Sequence, residues 1–292
     1  MLEGKIIKGI GGFYYVKTKD ELYSCRARGK FRNKSLTPMV GDVVNIEVTD
    51  TEKLEGYVVD IHPRTNELFR PLVSNIDLLL VTFAVSSPDP SFVLIDKLIV
   101  TAEARNIPVA VCINKCDLDE EKAKEYAHSY ELSGYPVIMC SAQTGKNTDA
   151  LRELLRDKTT ALAGNSGVGK SSLLNAIGES LNLKTGSVSD KIQRGKHTTR
   201  HTELFPLSFG GYVLDTPGFG SYEIDKISYR DLSSLFPEIA RHEGGCRFSG
   251  CSHIKEPDCS VKDALSEGKI STSRYESFCE LYEQLKQIKE WE

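Results

Sequence analysis

The sequence has no long apolar run. A membrane helix needs roughly 18–20 apolar residues in succession. The longest candidate, Ile76 to Val85, is short and carries Asp77. No membrane partner is therefore expected. The opening Met-Leu-Glu-Gly-Lys lacks the basic-then-apolar pattern of a secretory signal. Neither charge is in large excess: the net is −4, which argues against a uniformly basic nucleic-acid binder. Cysteines are present, but Cys25, Cys112, Cys116, Cys140 and Cys279 fall in no pairing pattern. That excludes a disulfide framework and fits a reducing cytoplasm. Internal repeats and low-complexity tracts are also missing. What remains is an ordinary globular composition, 40% apolar over 292 residues, enough for two or three compact units.

The first 65 residues read as short strands: Ile6-Ile7, Phe13 to Val16, Leu22 to Arg28, Val43 to Val48 and Tyr57 to Ile61. About five strands in that length suit a small closed β-barrel, an OB-fold, with an SH3-like barrel as competitor. His62 to Asn66 reads as a linker. Beyond it, apolar runs alternate with helical spacing. Strands are expected at Ile76 to Val85, Pro108 to Ile113, Pro136 to Cys140 and Thr159 to Ala163. Helices are expected at Phe92 to Ala104, Glu120 to Leu132 and Thr148 to Arg156. Such alternation means a parallel sheet covered by helices. From about residue 229 the chain reads as helical and loop-rich. There Ser273-x-x-Glu276 has the form of a capping box before an apolar stripe at Tyr275, Phe278, Tyr282, Leu285 and Ile288. The expected division is 1–65, an OB-fold RNA-binding domain; 66–228, an α/β nucleotide domain; and 229–292, a metal-binding helical domain.

Gly164-Asn165-Ser166-Gly167-Val168-Gly169-Lys170-Ser171 has the spacing of a phosphate-binding P-loop, with Ser172 following. It comes after a strand and before a helix, so backbone N–H groups and the helix terminus can meet phosphate oxygens. Lys170 is expected to reach the β- and γ-phosphates and Ser171 to ligate Mg²⁺. Asp215-Thr216-Pro217-Gly218 follows another strand; Asp215 suits Mg²⁺, and the Gly218 N–H suits the γ-phosphate. Asn114-Lys115-Cys116-Asp117 reads a base. The Asp117 carboxylate can accept from both N1–H and the 2-amino group of guanine, which adenine does not offer there. Ser141-Ala142 can add a backbone N–H to the guanine oxygen. Between P-loop and Asp215 lies Gly195-Lys196-His197-Thr198-Thr199-Arg200. Thr199, with Thr198 as alternative, is the expected Mg²⁺ ligand there. Phe219 stands where many GTPases carry a water-orienting Gln, and it cannot orient water. His197 is the candidate in its place.

Cys246-x₄-Cys251-x-His253-x₅-Cys259 supplies four tetrahedral ligands and points to one structural Zn²⁺. Arg26, Arg28, Lys30, Arg32 and Lys34 alternate along the chain, within a segment 1–34 holding nine Lys/Arg against three Asp/Glu. On a strand that alternation makes one basic face, and with Tyr23 and Phe31 close by it suits an RNA backbone and stacked bases.

The nucleotide motifs resemble those of the translation-factor-related GTPases, in altered order. Asn114-Lys-Cys-Asp and Ser141-Ala precede the P-loop, and Asp215 comes last, so the domain is circularly permuted. With the N-terminal barrel, the Gly-Lys-His-Thr-Thr-Arg stretch and the Cys/His element, nearly the whole chain resembles the ribosome small-subunit-dependent GTPases of bacteria. The resemblance implies a cytoplasmic GTP hydrolase, GTP to GDP and phosphate. It would act late in small-subunit maturation, bind ribosomal RNA through both flanking domains and be stimulated by the subunit, as a monomer. Typical members have Arg where Lys196 stands. A GTP-gated RNA-binding module with incidental hydrolysis is the alternative. A P-loop phosphotransferase is disfavoured, because Asn114 to Asp117 reads guanine and does no transfer chemistry.

Overall fold

The computed structural model describes residues 1–29, 31, 37–69, 71–178, 202–215, 224 and 227–289. Contacts divide the chain into two compact units. One is Met1–Leu78 with Leu155–Leu162 and Leu181–Pro217; the other is Leu79–Leu154 with Ala163–Ser180 and Gly218–Glu292.

The first unit begins with the strands β1 (Leu2–Ile10), β2 (Phe13–Lys17), β3 (Leu22–Ala27), β4 (Val43–Asp50) and β5 (Glu55–Ile61). They close a barrel in the order β1-β2-β3-β5-β4. β4 returns antiparallel to β1, with Leu2 opposite Ile46, while β3 and β5 run parallel. A parallel pair inside a five-stranded closure is the OB-fold arrangement, not the SH3-like meander. Period-two burial drives it: Tyr23 and Cys25 of β3, and Val44 and Ile46 of β4, point inward. Tyr23 and Phe31 are each only 8% exposed, so they serve the core and not a stacking surface, contrary to expectation.

The segment read as a linker is pinned. Asp42 is wholly buried and its carboxylate accepts from Arg64 Nε at 2.7 Å, Arg64 Nη2 at 2.9 Å, Ser74 Oγ at 2.6 Å and the Met39 N–H at 2.9 Å. A buried carboxylate needs such partners. Arg64 also donates to Glu67, on an unanticipated hairpin of β6 (Glu67–Phe69) and β7 (Leu72–Ser74). The same unit holds β12 (Leu204–Pro206) antiparallel to β13 (Tyr212–Asp215). β13 runs parallel to β11 (Thr159–Ala163). Lys5 Nζ donates to Thr159 Oγ1 at 2.7 Å and Lys8 pairs with Glu203 at 2.7 Å, tying β1 to these strands.

The second unit holds β8 (Leu78–Ala84), β9 (Val109–Asn114) and β10 (Val137–Met139), mutually parallel in the order β10-β9-β8. In the first unit the neighbouring strands run β11-β13-β12. Every residue of β8 and β9 is buried, as expected of strands covered on both faces. The helices are α1 (Phe92–Glu103), α2 (Glu120–Ser133), α3 (Thr148–Leu155) and α4 (Lys170–Ala176), then α5 (Pro237–Ala240), α6 (Ser260–Ser266) and α7 (Thr272–Lys289). α2 starts where Asp119 accepts the Lys122 N–H and ends at Gly134 in the left-handed region.

A C-terminal core gathers Phe236, Ile239, Val261, Phe278, Leu281 and Leu285 with Ile224, Ile227 and Val100 of α1. α7 begins at Thr272, so its N-cap is Ser271, two residues before the Ser273 expected of the capping box. The residue at its third position is Arg274, not Glu276. Arg274, 1% exposed, donates to Asp96 of α1 at 2.5 Å and to Glu238 of α5 at 2.7 Å. Its guanidinium lies 4.6 Å from the Phe236 ring centre. That cation is buried between two acids.

Candidate nucleotide site and metal centre

The P-loop leaves β11 at Gly164 and enters α4 at Lys170. Gly164 has φ +140°, and a side chain there would run into the carbonyl of Thr82. Gly169 has φ +93°, and a Cβ would collide with the Asn114 carboxamide. Both positions demand glycine. Gly169 caps α4 without a side-chain hydrogen bond, and the N–H groups of a helix's first turn point toward its N-terminus, the end that favours an anion. Lys170 Nζ lies 2.7 Å from the Gly164 carbonyl and 2.9 Å from that of Asn165, which holds its charge within the curve of the loop. Ser171 and Ser172 follow on the first turn of α4.

Asn114 joins three loops. Its Nδ2 donates to the Val168 carbonyl at 2.8 Å, and its Oδ1 accepts from the Ala142 N–H at 3.2 Å. Lys115 sits in the left-handed region at φ +59° and its Nζ bonds the Gly167 carbonyl at 2.9 Å and the Ser87 carbonyl. A non-glycine residue held there is a local cost of the kind found at binding sites. The Cys116 N–H meets the Cys140 carbonyl at 3.1 Å, joining the two base-side loops. Around these groups is a hollow of about 350 Å³, lined by Asn114, Lys115, Asp117, Leu118, Ser141, Ala142, Gln143, Gly169 and Ser172. Among the described residues it presents one exposed carboxylate, Asp117, beside an aliphatic lysine stem. That chemistry suits a planar base with adjacent N–H donors.

Two details were not legible in the sequence. The Ser141 and Ala142 N–H groups are already engaged, with the Lys146 carbonyl and Asn114 Oδ1. Gln143 also lines the hollow and is exposed. Beneath the loops, Cys112 and Cys140 are buried neighbours. The Cys140 thiol, with burial, holds Cys112 well above the ordinary thiol range. It therefore stays a protonated, unreactive thiol.

Asp215 ends β13 in register with Leu162, two residues before the P-loop; only its backbone is described. His197, Thr198, Thr199 and Gly218 lie outside the described residues. Of the basic run, Arg26 and Arg28 are exposed on the barrel, whereas Lys30, Arg32 and Lys34 lie outside the described residues.

Cys246, Cys251, His253 and Cys259 converge, with their ligand atoms all within 4.8 Å of one another. The distances test the fit to a metal. Zinc bonds of about 2.3 Å to sulfur and about 2.0–2.1 Å to nitrogen, set tetrahedrally, put ligand atoms roughly 3.8 Å apart for S–S and roughly 3.6 Å for S–N. Observed are 3.8 Å between the sulfurs of Cys246 and Cys259, and 3.5 Å from each to His253 Nδ1. The donor set and edge lengths fit zinc. His253 Nε2 faces Glu243 at 3.5 Å, which turns Nδ1 toward the thiols. Glu243 was missed because no spacing rule marks such a residue. Burial pushes the Cys246 thiol up, but hydrogen bonds from Ser260, Cys259 and the Val261 backbone together leave it below its ordinary value.

With this geometry in hand, two family profiles apply. One described as RsgA N-terminal domain matches residues 3–58, and one described as RsgA GTPase matches residues 61–225, more than half of the chain. The chain belongs to the RsgA GTPase family. It is 49% identical over 297 aligned residues to the small ribosomal subunit biogenesis GTPase RsgA of Agathobacter rectalis, covering 98% of both chains. To the RsgA protein of the same description from Ruminiclostridium cellulolyticum it is 47% identical, covering 99% of this chain and 95% of that one. The fold matches that of YjeQ from Thermotoga maritima with a TM-score of 0.84 at 36% identity, over 97% of this chain and 98% of the other. It matches YloQ, a circularly permuted GTPase, with a TM-score of 0.81 at 38% identity, over 98% and 96%. As an RsgA GTPase the chain is a P-loop GTP hydrolase with a permuted nucleotide domain, and GTP is used with Mg²⁺. Among the described residues no helix is long and apolar enough to cross a membrane.

Proposed function

We propose that this protein hydrolyses GTP on the small ribosomal subunit, late in that subunit's maturation, and that the subunit stimulates the reaction. The observation that carries the reading is near full-length similarity to relatives described as small ribosomal subunit biogenesis GTPases. The functional division is 1–65 for RNA, 66–228 for GTP and 229–292 for the zinc-stabilised helical region. The protein acts in the cytoplasm, as a monomer.

Asp117 selects guanine, Lys115 lies along the base, and Asn114 holds the base loops to the P-loop. Gln143 joins Ser141 and Ala142 around the base. The backbone from Gly164 to Gly169 wraps the phosphates, Lys170 offsets charge on the β- and γ-phosphates, and Ser172 follows at the α-phosphate side. Ser171, Asp215 and Thr199 would hold Mg²⁺, which supplies charge neutralisation at the phosphates when bound. His197 orients the attacking water, and the Gly218 N–H meets the γ-phosphate. Cys246, Cys251, His253 and Cys259 would hold zinc, whose contribution is structural. Arg26 and Arg28, with Lys30, Arg32 and Lys34, face ribosomal RNA.

Phosphate release from GTP, alone and with purified small subunits, tests the reading; large subunits and ATP serve as controls. A rise of tenfold or more with small subunits alone is expected. Slow turnover indifferent to every ribosomal particle would overturn the partner. A His197→Ala variant should lose most of the stimulated rate while still binding GTP; full stimulated turnover in that variant removes the residue from the mechanism.

A further inference from the structure

The barrel carries a surface feature that the alternating basic run does not describe. Phe13 of β2 is opposite Arg26 of β3, and Arg26 is opposite Tyr57 of β5. The three side chains therefore form one row across three strands, each about 4.8 Å from the next along the hydrogen-bonding direction. The pleat turns this row outward, since the flanking Cys25 and Val58 are wholly buried. Phe13 is 37% exposed and Tyr57 is 41% exposed, two large rings left on the surface of a small barrel. The Arg26 guanidinium lies 4.5 Å from the Phe13 ring centre. Arg28 is matched by Glu47 at 2.5 Å, whereas no carboxylate pairs with Arg26 among the described residues. Beside the row, the small Ser24 separates Tyr15 from Glu55 and leaves the face open.

We infer that Phe13, Arg26 and Tyr57 form a stacking platform for unpaired RNA bases. The inference rests on the RNA-binding role proposed for the barrel, and adds which groups bind and which form of RNA they take. Aromatic rings offer a face to any base, and a cation between them attracts the adjoining phosphate. Bases inside a duplex are stacked on one another and present only edges and backbone. A row of ring faces on a strand surface therefore favours single strands, bulges and loops over helices.

The test uses the full chain and fluorescence anisotropy. The probes are a labelled 12-nucleotide oligouridylate, an abasic ribose-phosphate strand of the same length, and an RNA duplex. The wild type is expected to prefer the oligouridylate over both others. The variant Phe13→Ala/Tyr57→Ala should weaken oligouridylate binding about tenfold or more, leave abasic binding unchanged, and keep the dependence on salt. Arg26→Ala should instead reduce the salt slope by about 0.7, the loss of one phosphate contact. The ring-preserving variant Phe13→Tyr/Tyr57→Phe should bind like wild type, which separates stacking from damage to the barrel. Equal binding of oligouridylate by wild type and the double alanine variant overturns the inference, as does an equal loss on the abasic strand. Co-sedimentation of the wild type with small subunits reads the partner separately. Subunit binding without a base preference sinks only the platform; a base preference without subunit binding sinks only the partner.

Discussion

Among the described residues Asp117 is the single carboxylate lining the base hollow, and the proposed choice of guanine rests on it. An Asp117→Asn change keeps the shape but turns an acceptor into a donor, which suits the additional carbonyl of xanthine. Preference is expected to shift from GTP to xanthosine triphosphate, with kcat/KM for GTP falling roughly 10³-fold or more. Unchanged GTP kinetics would mean that the base is read elsewhere. Glu243 makes a comparable claim at the other site. If it orients His253, Glu243→Gln should weaken zinc affinity about 10–100-fold, read by competition with a chelator. An unaltered affinity would reduce the 3.5 Å approach to coincidence. At this scale the sequence was most informative where partners are close along the chain. The P-loop, Asn114 to Asp117 and the Cys/His element each lie within a few residues, and spacing alone reveals them. Arg274 was hidden for the opposite reason: its partner Asp96 is 178 positions away, and neither residue belongs to a local pattern.

Helix α1 is the element on which two parts of the second unit meet. Its start follows the loop whose Ser87 carbonyl receives Lys115 from the base side. One turn in, Asp96 receives Arg274 from α7. Burial pushes the Asp96 carboxyl above its ordinary range, against the pull of Arg274, so the cluster is held together at a cost in desolvation. A buried cluster of this kind is more costly to break than to replace. Arg274→Ala strands two acids in the core and is expected to lower stability by about 3–5 kcal/mol, read from urea unfolding. Adding Asp96→Leu and Glu238→Leu should recover most of the loss. A fully stable Arg274→Ala protein would show that water reaches the cluster. The helical spacing of residues 92–104 was plain in the sequence, and so was the stripe on α7. What spacing could not supply was their mutual packing, or that α7 would start at Thr272 to bring Arg274 inward.

At the scale of the whole molecule, the permuted order has a mechanical consequence. In the chain, Asp215 at the end of β13 is followed by the γ-phosphate segment, and Ile224 is already buried in the C-terminal core. Residues 216–223 joining them can span at most about 30 Å. If Gly218 meets the γ-phosphate as proposed, loss of that phosphate acts on a short tether, eight residues or fewer from a core that also includes Val100 of α1, the helix whose Asp96 accepts from Arg274. The motif order made the tether legible in advance; the anchoring of its far end was not, because Ile224 and Ile227 join a core formed mostly by later residues together with Val100, more than a hundred positions earlier. If the tether carries the signal, lengthening it should silence the signal and leave the chemistry intact. Insertion of a six-residue Gly-Ser segment after Ser221 is expected to preserve hydrolysis without subunits. The ratio of small-subunit affinities measured with a non-hydrolysable GTP analogue and with GDP should fall toward one. An unchanged ratio would redirect the coupling to the base-side loops and α1, and the Arg274→Ala variant should then abolish it instead.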